Sequence, residues 1–146
     1  MPGTTISGQV VRARISGDPL AAQDCIDAVS SDATGGVGVF LGIVRDHDRQ
    51  RRVESLHYEA HPSASAELER VCATVAAEYD VTAVAAEHRV GTLGIGEVAV
   101  VVAVGAVHRG EAMTACHALI DRIKAEVPIW KHQRFTDGTE EWVGCS

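Results

Sequence analysis

Two hydrophobic rhythms alternate along the 146 residues of this chain, one of period two and one close to 3.6. The first alternating stretch, Ser7 to Ile15, reads as a strand. Asp18-Pro19 then places a capping carboxylate before a proline, which predicts a helix from Pro19 to Ser30. Within it Leu20, Cys25, Ile26 and Val29 share one face, and Gln23, Asp24 and Asp27 are left for water. After Gly35-Gly36, the residues Val37, Val39, Leu41 and Ile43 alternate with Gly38, Phe40 and Gly42, so a strand is expected with glycines on one face. Such a face predicts close packing by a backbone or a ligand. The polar run Arg45 to Arg52 leads to another strand, Val53 to Ala60, and the two strands with their loop read as a long hairpin.

A second helix is expected from Ser63 to Tyr79, with Ala64, Leu68, Val71, Cys72, Val75 and Tyr79 inward. Val81 to Val90 and Glu97 to Val107 follow as strands, joined by a turn at Gly91, Gly94 and Gly96. A third helix should begin near Arg109 and bury Ala112, Met113, Cys116, Leu119, Ile120, Ile123 and Val127 before Pro128 stops it. The tail, Ile129 to Val143, reads as a hairpin turning at Asp137-Gly138. Three helices among adjoining strands predict an α+β domain on a mixed or largely antiparallel sheet.

With 46% hydrophobic residues, the chain has material for one core, and a single domain over residues 1–146 is expected. The formal charge of −7 supplies no electrostatic footprint for nucleic acid or an anionic membrane. Its longest apolar run, Val98 to Val107, is half of the roughly 20 residues that a membrane-spanning helix requires. Met1 to Thr5 lacks the basic and apolar pattern of a secretory signal, so a cytoplasmic protein is expected. Cys25, Cys72 and Cys116 sit at apolar helical positions and read as small reduced hydrophobes, and Cys145 is either a reactive thiol or an incidental tail residue. No Cys-x-x-Cys pair is present, and neither a metal nor a cofactor is expected.

Candidate chemistry concentrates at three places. His108-Arg109 marks the junction of a buried strand with a helix N-terminus, where free N–H groups favour an anion. Read without further context, the pair fits either an anion site or a solvated first turn. The chain places arginine at eleven of its thirteen basic positions, and its two lysines, Lys124 and Lys131, flank Pro128-Ile129-Trp130. Lysine, unlike arginine, can lose its proton under desolvation and act as a base or nucleophile. An ordinary helix-end lysine and a surface lysine remain the other reading, and Trp130 reads as a core anchor. Arg45 follows an alternating strand and can converge on a cleft; Asp46, His47 and Asp48 beside it read as a solvated loop. The remaining histidines, His88 among them, share no metal-ligand spacing, and neither a serine elbow nor a P-loop occurs.

Taken in order, Gly42-Ile43-Val44-Arg45-Asp46-His47, Tyr58-Glu59-Ala60, His88-Arg89-Val90-Gly91, Gly96-Glu97, His108-Arg109, Lys124 and Pro128-Ile129-Trp130-Lys131 resemble the large, catalytic subunit of molybdopterin synthase. The likeness runs from Gly35 to Val143. It implies an α/β-hammerhead-type α+β fold and a homodimer that receives a small ubiquitin-like sulfur-carrier subunit at each end, a heterotetramer in all. It also implies a sulfurtransferase reaction, in which the carrier's thiocarboxylated Gly-Gly C-terminus delivers sulfur to cyclic pyranopterin monophosphate and builds the dithiolene of molybdopterin. The implied site comprises Arg45, His108, Arg109, Lys124 and Lys131, with Ile43, Val44, His132 and Gln133 as further substrate contacts. Lys124 is the expected proton donor or acceptor, with Lys131 exerting like-charge repulsion on it, while Arg45, His108 and Arg109 hold phosphate. Two other readings stay open on the residues: an anion-sensing domain without catalysis, and a scaffold that binds the carrier.

Overall fold

Burial decides how the alternating segments pair. The computed structural model describes residues 8–144, in which the strands sort into two sheets. The elements are β1 (Gln9–Ser16), α1 (Ala22–Val29), β2 (Gly36–Ile43), β3 (His47–Asp48), β4 (Arg51–Ala60), α2 (Ala64–Glu78), β5 (Ala83–Arg89), β6 (Gly91–Gly94), β7 (Val98–Ala106), α3 (Arg109–Glu126), β8 (Ile129–Phe135) and β9 (Glu140–Val143). Ser7 and Cys145 lie outside the described residues. The first sheet has the order β1-β5-β7-β2, with β1 parallel to β5 and the other pairs antiparallel, so it is mixed. The second has the order β3-β4-β8-β9, and β6 also pairs with β4. Together with three helices this is the α+β class that the pattern predicts.

The main core lies between α2, α3 and one face of the first sheet. Leu68, Val71 and Val75 of α2 and Leu119 and Ile123 of α3 meet Val84, Val102 and Val104 there. On the opposite face, Cys25 and Val29 of α1 pack with Ala85, Val101 and Ala103. Strand β7 is therefore covered on both faces, which explains its nearly unbroken apolar sequence. A third cluster, Val44, Val53, Leu56, Leu93, Ala99 and Phe135, seats the second sheet against the first.

Five expectations need correction, the first being that Trp130 anchors the core: it is 39% exposed, because alternation along β8 turns it away from the buried Ile129. Helix α1 starts at Ala22 rather than Pro19, and Ala21 caps it without a side-chain bond. Ser16 still accepts a hydrogen bond from the Val90 amide, and its hydroxyl accepts one from the Asp18 amide, so the chain must turn before a helix can begin. Strands β2 and β4 form no hairpin. Strand β2 pairs with β7 along Gly36–Ile43 while β4 pairs with β8 and β6, and the hairpin shrinks to β3 and the start of β4 around Arg49-Gln50. Insertion of Val44 into the third cluster carries the chain from one sheet to the other. The expected turn at residues 91–96 also contains β6. Met113 is 65% exposed, because Ala112 and Cys116 occupy the face of α3 turned to β2.

The glycine face of β2 meets backbone, one of the two options expected. A Cβ on Gly38 would stand 2.7 Å from the carbonyl oxygen of Ala112, so helix and strand approach more closely than any side chain permits. The opposite face of β2, with Val37, Val39, Leu41 and Ile43, is 37–54% exposed at the edge of the sheet. The C-terminal hairpin turns at Gly138, whose φ of 88° is left-handed, as Asp137-Gly138 predicts.

Candidate functional site

The far end of β2, the last turns of α3 and the inner face of the second sheet enclose a cleft of about 430 Å³. Ile43, Val44 and Arg45 enter it from β2 and the residues just beyond, Asp48 from β3, Tyr58 from β4 and His88 from the end of β5. Helix α3 contributes Ile120, Ile123 and Lys124, spaced three and four apart on one face. Pro128 ends the helix segment and β8 starts at once, so Lys131 returns to the same space from the other side of the turn. Alternation along β8 then sorts its residues: Ile129, Lys131 and Gln133 line the cleft, and Trp130 and His132 take the opposite face.

Three cations, Arg45, Lys124 and Lys131, thus converge on one space, and among the described lining residues Asp48 is the carboxylate that meets them. Asp48 lies 3.9 Å from the Arg45 guanidinium and accepts a 2.7 Å hydrogen bond from Nε2 of Gln133, which is itself 2% exposed. The Gln133 bond first, and then the charges of Lys131, Arg49 and Arg45, hold the Asp48 carboxyl below its ordinary range. Burial lowers the Lys131 ammonium; the charges of Lys124 and Arg45 push the same way, and Asp48 and Glu141 oppose them. Like charge from Lys124 and Arg45 thus adds to burial at Lys131. This arrangement can orient an anion and hold or release a proton at Lys131 Nζ.

The other candidates stand elsewhere in the chain. His108 and Arg109 are exposed at the start of α3, and His108 makes no side-chain capping bond. Fifteen residues of helix separate Arg109 from Lys124, about 22 Å at the α-helical rise. One protomer cannot bring the two into one cleft. His132 stacks on Trp142 with ring centroids 4.6 Å apart, on the outer face of the second sheet. Burial pushes the thiols of Cys25 and Cys116 up to about 11 and that of Cys72 to about 12, which removes them as nucleophiles. Among the described residues no three of His, Cys, Asp and Glu gather to hold a metal ion.

Among the lining residues that sequence reasoning missed are Asp48, Tyr58 and His88. For His88 a signal existed: it ends the row Val84, Ala86, His88, in which the first two positions are core residues. For Asp48 none did, because its partner Gln133 is 85 residues away.

Comparison with known proteins identifies the family. The family model described as "MoaE protein" matches residues 15–126, more than half of the chain. The molybdopterin synthase catalytic subunit of Arabidopsis thaliana is 41% identical over 118 residues, 80% of this chain and 59% of that protein. Catalytic subunit 1 from Mycobacterium tuberculosis is 37% identical over 145 residues and is matched along 98% of its length. The crystal structure of molybdopterin synthase from Staphylococcus aureus superposes with a TM-score of 0.84 at 33% identity, covering 89% of this chain and 95% of that one. The α+β fold, the cationic cleft and these matches together place the chain in the MoaE family, that of the molybdopterin synthase catalytic subunits.

Proposed function

We propose that this chain is the catalytic subunit of a molybdopterin synthase, a sulfurtransferase that moves sulfur from the thiocarboxylated Gly-Gly C-terminus of a small ubiquitin-like carrier to cyclic pyranopterin monophosphate. The observation that carries this reading is the convergence of Arg45, Lys124 and Lys131 on one cleft in a chain of net charge −7. A cyclic phosphate and a peptide's terminal thiocarboxylate are both anions, and such a cleft binds and orients them against each other. Each transfer forms a carbon–sulfur bond on the pterin in place of a carbon–oxygen bond, whose oxygen leaves as water, and breaks the bond between sulfur and the carrier's terminal carbonyl carbon. Water supplies the oxygen that leaves the carrier as a carboxylate. Two transfers give the dithiolene.

In this proposal Lys124, at the end of α3, donates or accepts the proton as sulfur attacks. Lys131, already disposed to lose its proton, stands beside it, and Arg45 neutralises charge on the phosphate. Ile43, Val44 and Gln133 form the wall against the substrate. A phosphate-holding role for His108 and Arg109 requires a second copy of the chain. Strand β2 offers the contact, since it runs from the start of α3 to the cleft with an open edge and an uncovered apolar face. Antiparallel pairing of two such strands brings the α3 N-terminus of each copy to the cleft of the other, and a carrier at each cleft completes a heterotetramer. The compartment proposed is the cytoplasm, where free thiols such as Cys25, Cys72 and Cys116 stay reduced; among the described residues no helix is long and apolar enough to cross a membrane.

Lys124→Ala tests the assignment. The variant should dimerise and bind the carrier like the wild type yet transfer no sulfur, as followed by mass spectrometry of the pterin. Normal turnover would remove Lys124 from the mechanism, and a stable carrier complex with no transfer by the wild type would favour a scaffold.

A further inference from the structure

The apolar end of the cleft contains an imidazole that the proposed chemistry leaves unused. His88 lines it beside Val100, Ile120, Ile123 and Ile129. Its Nδ1 stands 2.8 Å from the carbonyl oxygen of Arg89, and because a carbonyl only accepts, Nδ1 carries the proton. Nε2 is then a bare acceptor. The ring is also fixed by an edge contact with Tyr58, with centroids 5.0 Å apart and planes at 72°. Among the described residues the buried side-chain nitrogen or oxygen without a partner is Arg89 Nε. Among the described residues His88 Nε2 also has no hydrogen-bond partner, yet it is not one of the sealed atoms, and the space its ring borders is the cleft. Burial lowers the imidazole's proton affinity and keeps the ring neutral near neutral pH, which preserves the acceptor.

The polarity of the cleft is thereby divided. The rim presents cationic donors, Arg45, Lys124 and Lys131, whereas the apolar end presents an oriented acceptor. We propose that His88 is a specificity-determining residue whose Nε2 accepts a hydrogen bond from an uncharged N–H of the ligand, while the rim cations hold the ligand's anionic end. The inference rests on the sulfur-transfer reading for its two sources of such a donor: a ring N–H of the pterin, or a backbone amide of the carrier's Gly-Gly tail. A histidine serving only as core filler would need no free nitrogen, and leucine would continue the row Val84, Ala86 without a polar atom to place.

His88→Phe keeps a ring and removes the acceptor, whereas His88→Gln places Oε1 near the position of Nε2. Assayed with pterin and thiocarboxylated carrier, His88→Phe should raise one KM about fivefold, as expected for loss of a neutral hydrogen bond. Turnover number and thermal midpoint should stay near wild type, and His88→Gln should restore the KM. A shift in the pterin KM identifies the ring N–H, and a shift in the carrier KM identifies the tail amide. Unchanged KM values for His88→Phe, or equal impairment of both variants with a lowered midpoint, would overturn the proposal. A readout without turnover separates the two readings. In wild-type protein labelled with ¹⁵N at histidine, addition of pterin or of unactivated carrier should move the His88 Nε2 resonance and leave Nδ1 protonated. A resonance that moves in protein lacking sulfur transfer sinks the synthase reading alone; a resonance that stays put while sulfur is transferred sinks the His88 contact alone.

Discussion

At the scale of single residues, the cleft works through the balance between Lys131 and Asp48. Burial and the neighbouring cations favour loss of the Lys131 proton, and the Asp48 carboxylate opposes them. Asp48→Asn removes that opposition, so Lys131 should titrate at still lower pH than in the wild type, as read by NMR of its side chain; an unchanged or higher pKa would contradict the coupling. The sign of the stability effect follows. The folded chain binds the Lys131 proton less tightly than the unfolded chain, whose value is near 10.5, so stability gains as pH rises between the lowered pKa and 10.5. Asp48→Asn should widen that window towards lower pH. Lys124 and Lys131 were legible in the sequence because an arginine-rich chain has only these two lysines, side by side across a helix stop. Asp48 was not, since a loop carboxylate looks solvated until a glutamine 85 residues later is folded against it.

At the scale of elements, helices were read more faithfully than strand pairings. The 3.6 period depends on neighbours in sequence, and α2 and α3 fall where it places them. Pairing is non-local: β2 and β4 are separated by a short polar loop, yet β2 joins β7 because that buried strand needs a partner on each side. Polarity could not distinguish a hairpin loop from a crossing between sheets. A tertiary contact that the sequence did announce was the close approach at the glycine face of β2. Gly38→Ala forces a Cβ to 2.7 Å from the Ala112 carbonyl oxygen and should cost about 1–3 kcal/mol of stability by chemical denaturation. Gly110→Ala, in open space within α3, should be neutral or stabilising by up to about 1 kcal/mol. Equal effects of the two would mean that close approach of strand and helix is not what Gly38 permits.

At the scale of the whole molecule, an acidic protein brings three of its thirteen lysines and arginines to a cleft between two sheets, and α3 carries basic residues at opposite ends. The resemblance grouped Arg109 with Lys124 because motifs in order carry no information about distance; the helix sets them about 22 Å apart. A shared site in a homodimer resolves this and makes a definite prediction. Arg109→Ala and Lys124→Ala should each be nearly inactive, but their co-expression should recover about a quarter of wild-type activity, since half of the dimers are mixed and each mixed dimer keeps one intact site. No recovery would place Arg109 outside the site.

The central claim, sulfur transfer at this cleft, is tested most directly by incubating the purified chain with thiocarboxylated carrier and cyclic pyranopterin monophosphate and weighing the pterin product. Gain of two sulfur atoms by the pterin, matched by loss of one from each of two carriers, is the predicted result; a pterin that gains no sulfur while bound in a stable complex with the activated carrier would contradict the account.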